Sequence, residues 1–453
     1  MGTTPKGMDR QESDALGRRK RQAVPRSAHQ AWAPPPERPD PVQILLEQDS
    51  TRVPELVGLR HSRMLASPFT FLRGAAAVMA RDLQHTPTTG MNVQACGDAH
   101  LANFGLYGTP ERRLIFDVND FDETLAAPWE WDVKRLAASF VVAGRTYGHA
   151  DAENDAMAAA TLQRYRAHMV EAASMSHLEV WYASVDAETV APILGATPRE
   201  AERTIEKART GSSTSHELSK LTTTSGGQRR FADHPPLVEH VDQGTGPETL
   251  TGAREIHARY RASLEPERRA LLDRYRLVDA VRKVVGVGSV GTRCAVGLLI
   301  GASQNDALFL QVKEAQASVL EAVTAPSPFP NHAERVVRGQ RLCQAASDVF
   351  LGWVRADDGR DYYVRQLADM KLSVDTEALS SAQLADYAEA CGWVLARAHA
   401  RSGDPAAIAG YLGSGDTFDT AVVAFANAYA DQTERDHAAF VAAARAGRIA
   451  PGP

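Results

Sequence analysis

Apolar positions fall at helical spacing in two blocks of the chain and at strand-like density in a third. Residues 131–147 (WDVKRLAASFVVAGRTY) and 152–174 predict two long amphipathic helices. Upstream, 69–83 (FTFLRGAAAVMARDL) predicts an Ala-rich helix, and 41–59 a short helix and a turn. The runs MNVQAC and LIFDV, each bounded by turn residues, predict short strands. A helical stretch, PREAERTIEKAR, precedes the Ser/Thr/Gly-rich GSSTSHELSKLTTTSGGQRR, which predicts a loop or flap. Near residue 270 the character changes. The helix ERRALLDRY leads to VRKVVGVGSVGTRCAVGLLIG, ALFLQVKEA, the helix NHAERVVRGQRLCQAAS, and the strand-like VFLGWVRA and DYYVRQLA. From residue 381 the chain reads as helix again.

A strand-rich block between two helix-rich regions predicts an α+β, bilobal protein. The expected divisions are an arm over 1–40, a helix-rich lobe over 41–265, a strand-rich lobe over 266–375, and C-terminal helices over 376–453 that pack on the helical lobe. The first segment is rich in Pro, Arg, Gln and Ser and predicts a flexible arm or an extended strap.

Composition narrows the class. The chain has 453 residues, 44% of them hydrophobic, and a net charge of −6, which leaves no global footprint for nucleic acid. Four scattered cysteines form no CxxC pair, which argues against a disulfide framework or a zinc site. No apolar run reaches the length of a membrane span, and no signal-peptide pattern opens the sequence. A cytoplasmic protein without a membrane partner is the expectation.

Chemistry concentrates in GDAHLANFG (97–105) and LIFDVNDFDE (114–123). Asp98 and Asn103 stand five positions apart, and the apolar strand ends in Asp117, Asp120, Asp122 and Glu123. Taken alone, the acidic cluster reads as a polar hairpin. An Asp…Asn loop followed by a strand and a second Asp is how kinase-like enzymes hold a substrate hydroxyl and Mg²⁺ at the γ-phosphate of ATP. On that pattern Asp98 accepts the hydroxyl proton, with His100 in the same loop. Asn103 and Asp120 bind Mg²⁺, with Asp117 and Asp122 as alternatives because the register is open.

The second constellation is GVGSVG. Gly286, Gly288, Ser289 and Gly291 lie between two strand-like runs, which suggests a hairpin lid over phosphates rather than a Rossmann turn. Lys313 follows on the next strand, where a buried ammonium needs an anion. ATP phosphates and Glu334 of the following helix are the expected partners. Arg341, Arg365 and Lys371 are further basic candidates for nucleotide or substrate, and His399 reads as a packing histidine. Because Asp98 precedes Gly286 by nearly two hundred residues, the two halves imply a circularly permuted kinase-like fold.

The segments RMLASPFTFLRGAAAVMARDL, CGDAHLANFG, FDVNDFDETLAAPWEWDVKRLAAS, RKVVGVGSVGTR, QRLCQAASDVFLGW, YYVRQLADMK and LARAHARSGD closely resemble the bacterial family called domain of unknown function 2252. The resemblance covers nearly the whole chain beyond the N-terminal arm. Locally, GDAHLAN also resembles the GDxHxxN loop of aminoglycoside and choline phosphotransferases. That resemblance implies Asp98 as catalytic base and Asp132 as the aspartate that braces the loop. Cys96 departs from it, standing where those enzymes carry His. The expected activity is ATP- and Mg²⁺-dependent phosphotransfer to an unknown small-molecule or protein hydroxyl. AMP transfer in the same cleft and a non-catalytic nucleotide scaffold are the alternatives.

Overall fold

The computed structural model describes residues 8–194, 197–210, 214–241, 246–284, 286–367, 370 and 372–452. It is a mixed α+β protein with open sheets. The largest sheet is antiparallel and six-stranded, in the order Gly352–Arg355, Asp361–Gln366, Ala307–Ala315, Cys294–Ile300, Arg276–Lys283, Val238–Glu239. Ala307–Ala315 is buried at every position, as its near-continuous apolar run requires for a central strand covered on both faces. The helix His332–Cys343 packs against it and its neighbours.

The helical region is organised around Trp129–Tyr147, buried at every residue from Trp129 to Gly144. A helix covered on all sides needs partners on all sides. Asp151–Ser174, Thr417–Arg445 and Pro68–Gly74 supply them, with Ser381–Ser402 packed on Asp151–Ser174. Beside this core lie the pair Asn92–Ala95/Leu125–Pro128 and a four-stranded sheet ordered Leu372–Ser373, Phe104–Gly108, Leu114–Val118, Val185–Asp186. No helix among the described residues is long and apolar enough to cross a membrane.

Three local expectations change. Residues 69–83 form two helices, Pro68–Gly74 and Ala76–Leu83, because the Gly74 carbonyl accepts from Arg60 (2.9 Å) instead of continuing the ladder. The Ser/Thr/Gly-rich stretch contains a helix, Thr214–Leu221, and a hairpin, Thr222–Ser225 with Gln228–Phe231. Its Gly226-Gly227 turn has positive φ at both residues. The hairpin docks through Phe231 on Phe309 and through the Phe231 amide on Asp279 (2.8 Å).

The N-terminal segment holds a helix, Arg10–Ala23, started by an Asp9/Glu12 capping box. Arg21 and Arg26 donate to the last carbonyls of helix Pro405–Leu412, Tyr411 (2.9 Å) and Leu412 (2.5 Å). Those carbonyls have no partner within their own helix, and the dipole favours cations there. Arg38 then bridges Asp82 (2.7 Å) and Asp436 (2.6 Å). Arginines thus tie the segment expected as a flexible arm or strap to the helices.

Candidate functional site

The loop carrying Asp98 is held at several points. Asp132, near the start of the central helix, accepts from the amides of Cys96 (2.6 Å) and Gly97 (3.0 Å). His399 is hydrogen-bonded to Asp132 (3.2 Å) and to the Tyr165 hydroxyl (2.8 Å), so it orients the brace. Ser139 accepts from the Leu101 amide, and Tyr387 donates to the Leu101 carbonyl. The bracing runs through main-chain amides, so Cys96 in place of His costs the loop none of these bonds. Gly97 has φ +81°, and a Cβ there would lie 2.3 Å from the Glu123 carbonyl oxygen. Gly97→Ala is therefore expected to cost at least about 1–3 kcal/mol of stability. A urea titration checks this, and an unchanged midpoint would contradict the close approach.

Within this loop the Asn103 amide nitrogen donates to the Asp98 carbonyl (2.7 Å), which leaves its amide oxygen available. The Asp98 carboxylate receives Arg135 of the central helix (Nε–Oδ1 2.6 Å). Burial pushes the Asp98 carboxyl up to about 7, although Arg135 pulls the other way. His100 Nε2 lies 3.8 Å from Asp98, and burial holds this imidazole well below its ordinary pKa, in the neutral form. Its Nδ1 is buried without a partner among the described residues.

Across from this loop stands the hairpin of Arg276–Lys283 and Cys294–Ile300, with the glycine loop between its strands. Gly286 (φ +68°) and Gly291 (φ +89°) take conformations that other residues rarely adopt. A Cβ on Gly288 would lie 2.9 Å from the Arg73 carbonyl oxygen, so the loop sits directly on the helix Pro68–Gly74. Arg63 donates to the Gly286 carbonyl from the same helical layer. One cleft of about 990 Å³ is lined by Asp98, His100, Asn103, Asp120 and Asp122 together with Gly286, Gly288 and Ser289.

Of the acidic cluster, Asp120 and Asp122 face this cleft and Asp117 does not. Asp117 is buried on the far side of its strand. There it pairs with Arg397 and accepts from the amides of Val118 (2.8 Å) and Ala345 (2.9 Å). Committed to these donors and absent from the cleft lining, it is not placed to hold a metal there, which corrects its candidacy. Asp122 accepts from Lys313, from the Tyr363 hydroxyl (2.7 Å) and from Ser289 (3.3 Å). Burial alone would raise the Asp122 pKa, but Lys313 and Tyr363 bring it below the usual carboxylate range. Burial opposes the Lys313 charge, yet Asp120 and Asp122 outweigh it and hold the ammonium well above the ordinary value. Asp120 is the open member of the set, with a third of its side chain exposed (34%) and Lys313 4.0 Å away.

Two expectations for Lys313 change with this. Its partner is Asp122, not Glu334, whose carboxylate reaches Arg338 (3.3 Å) on the outer face of its own helix. The ammonium is nearly closed off from solvent (2% exposed), beneath Asp122 and Ser289 and 6.0 Å from the Tyr363 ring. Arg365 donates to Gln311 (2.9 Å) and the Asn119 carbonyl (3.2 Å), and Arg341 to the Leu351 carbonyl (2.6 Å). Both are spent on structure, and Lys371 lies outside the described residues.

Several residues of the site have no role legible in the sequence. Arg135 lies three positions after Asp132, on the same helical face, inside an apolar pattern, and that spacing is the one signal that marks it. Arg335 clamps the acidic loop by donating to the carbonyls of Asp122 (2.8 Å), Thr124 (2.6 Å) and Gln316 (2.9 Å). Glu123, raised by burial, accepts from the Val319 amide (2.7 Å). Arg73 reaches the cleft from the helix Pro68–Gly74, and Arg52 from the turn between the helices Pro41–Asp49 and Pro54–Leu65.

The sequence profile of the family described as "Uncharacterized protein conserved in bacteria (DUF2252)" matches residues 52–443. The chain belongs to this family. No curated protein and no solved structure matches it.

Proposed function

We propose that this protein is an ATP- and Mg²⁺-dependent phosphotransferase acting on a hydroxyl acceptor, built as a circularly permuted, bilobal kinase-like fold. The observation that carries the reading is the meeting of the Asp98/Asn103 loop and Asp120 with the glycine loop across one cleft, although the two lie far apart in the chain. The order hairpin, glycine loop, lysine strand and helix, with the Asp98 loop earlier in the sequence, supports the permutation.

Among the described residues no cluster of three or more His, Cys, Asp or Glu side chains could hold a metal by itself. Asp120 and Asn103, which both line the cleft, suit Mg²⁺, which takes one or two carboxylates and completes its shell with water and substrate phosphates. Asp120 and the amide oxygen of Asn103 are the groups that would hold it, and the ion would neutralise phosphate charge. Asp98 lies beside them as the acceptor of the hydroxyl proton, and neutral His100 leaves that proton to the carboxylate.

The test is a thermal-shift titration with Mg²⁺-ATP on wild type, Asp120→Asn and Lys313→Met, each measured against its own ligand-free melt. Ligand at a hundredfold excess over Kd stabilises the native state by about 2.7 kcal/mol. A wild-type shift that Asp120→Asn reduces supports the reading; Lys313→Met acts on the site through Asp122, which it leaves without its cation. No shift at saturating Mg²⁺-ATP would overturn it. ADP as product indicates phosphoryl transfer, and pyrophosphate would indicate AMP transfer instead.

A further inference from the structure

A wall of the cleft built by the N-terminal helices plays no part in the chemistry above, and its charges are incompletely matched. Arg73 lies in the last turn of the helix Pro68–Gly74 and lines the cleft with Asp98 and His100. Among the described residues its buried Nε has no hydrogen-bond partner, and the Asp98 carboxylate that shares the cleft is paired with Arg135 instead. The guanidinium stands 5.8 Å from the Phe69 ring centroid, a contact that offsets only part of the desolvation of a cation. Other arginines around the cleft are committed, Arg293 to Glu314 (3.3 Å) and Arg81 to Glu47 (3.4 Å).

Arg52 is half committed. Its Nη1 donates to the Val290 carbonyl (2.5 Å), while its buried Nε has no hydrogen bond and only a loose approach to Asp49 (3.7 Å). Both arginines border the glycine loop. The Arg73 carbonyl closes the space beside Gly288, and the Arg52 side chain lies 3.0 Å from where a Cβ of Gly291 would stand. Lys313, the cation expected to grip phosphates, is sequestered beneath Asp122. The counter-charge for a polyphosphate must come from somewhere else in the cleft.

We infer that Arg73, with Arg52 on the other flank of the glycine loop, forms an oxyanion site for the terminal phosphates of a polyphosphate chain. The site takes over the charge role that Lys313 gives up. Guanidinium groups suit this task because they form charge-assisted hydrogen bonds to phosphate oxygens. The inference rests on the phosphotransferase reading for the nucleoside part of the ligand; the phosphates alone define the site itself.

The experiment is calorimetric binding of inorganic tripolyphosphate, and separately of Mg²⁺-ATP, to the full-length protein and to Arg73→Gln, Arg73→Lys and Arg52→Gln. Wild type should bind tripolyphosphate. Arg73→Gln should bind it roughly tenfold or more weakly, as the loss of a charge-assisted hydrogen bond implies. Arg73→Lys should restore part of that loss. Phenylglyoxal labelling of the wild-type protein reads the same contact without a variant, so a poorly folded substitution does not obscure it. Tripolyphosphate should protect Arg73 from modification. Undiminished affinity in Arg73→Gln, or unprotected Arg73, would overturn the inference. If Mg²⁺-ATP still bound, the phosphotransferase reading would survive that result. Tripolyphosphate binding that depends on Arg73, without any ATP binding, would sustain the oxyanion site and sink the nucleotide reading.

Discussion

Asp98→Asn is expected to lower ATP turnover to ADP by about a hundred- to ten-thousand-fold while Mg²⁺-ATP still binds, the range for loss of a general base. The substitution keeps the side chain's shape and leaves one oxygen to accept from Arg135, so the loop should stay folded on its Asp132 brace. The carboxylate works only when ionised. With its pKa pushed up to about 7 by burial, kcat/KM should rise with pH through about 7 and level off above it. Glutamine at Arg135 removes the opposing cation, so the midpoint of that rise should move to higher pH. Turnover in Asp98→Asn within a few-fold of wild type would remove Asp98 from the chemistry. A pH profile flat between 5 and 9 would do the same for its ionisation.

The second large effect lies outside the cleft. Asp117→Ala should destabilise the protein by about 3–5 kcal/mol, because it leaves the Arg397 guanidinium buried without its counter-ion. The Val118 and Ala345 amides lose their acceptor in the same step. Asp117→Asn likewise leaves Arg397 without its counter-ion, and pairing it with Arg397→Met should recover much of its loss, since removing both charges of a buried pair costs less than removing one. Urea unfolding of the two singles and the double measures the coupling. Additive singles would show that the pair does not act as a unit. In the folded Asp117→Asn protein the Mg²⁺ dependence of ATP binding should equal that of wild type, whereas Asp120→Asn should weaken it. The reverse result would place the metal ligand at Asp117.

Much of this arrangement was readable from local pattern. The spacing of Asp98 and Asn103, and the glycine loop between two apolar runs, depend on residues close in sequence, where turn chemistry and strand period leave marks. The long helices were equally plain, because a buried face repeats every three to four residues. The acidic cluster shows where such reading stops. Asp117, Asp120 and Asp122 have the same side chain within six positions, and their roles diverge because the strand ends between them. Only the pairing of Gly105 with Asp117 turns that carboxylate toward Arg397, and only the loop beyond Val118 sends the other two to the cleft. Glu334 was a reasonable partner for Lys313 by chain order, but its position on the helix turns it toward Arg338.

The sequence by itself determined the long helices, the strand runs and the spacing within the Asp98 loop and the glycine loop, since each rests on residues close in the chain. The brace of the Asp98 loop, by contrast, comes from Asp132, Tyr387 and His399 far along it. Tertiary structure decided which charges meet. Arg397 reaches Asp117, Asp122 reaches Lys313, and Arg52 and Arg73 reach the glycine loop, all across long separations in the chain. It also decided that the N-terminal segment is tied down, because Arg21 and Arg26 find the open carbonyls of a helix nearly four hundred residues away. Buried charge has no period along a chain. A desolvated ion must be matched by whatever the fold places beside it, so its partner is a property of the packed structure.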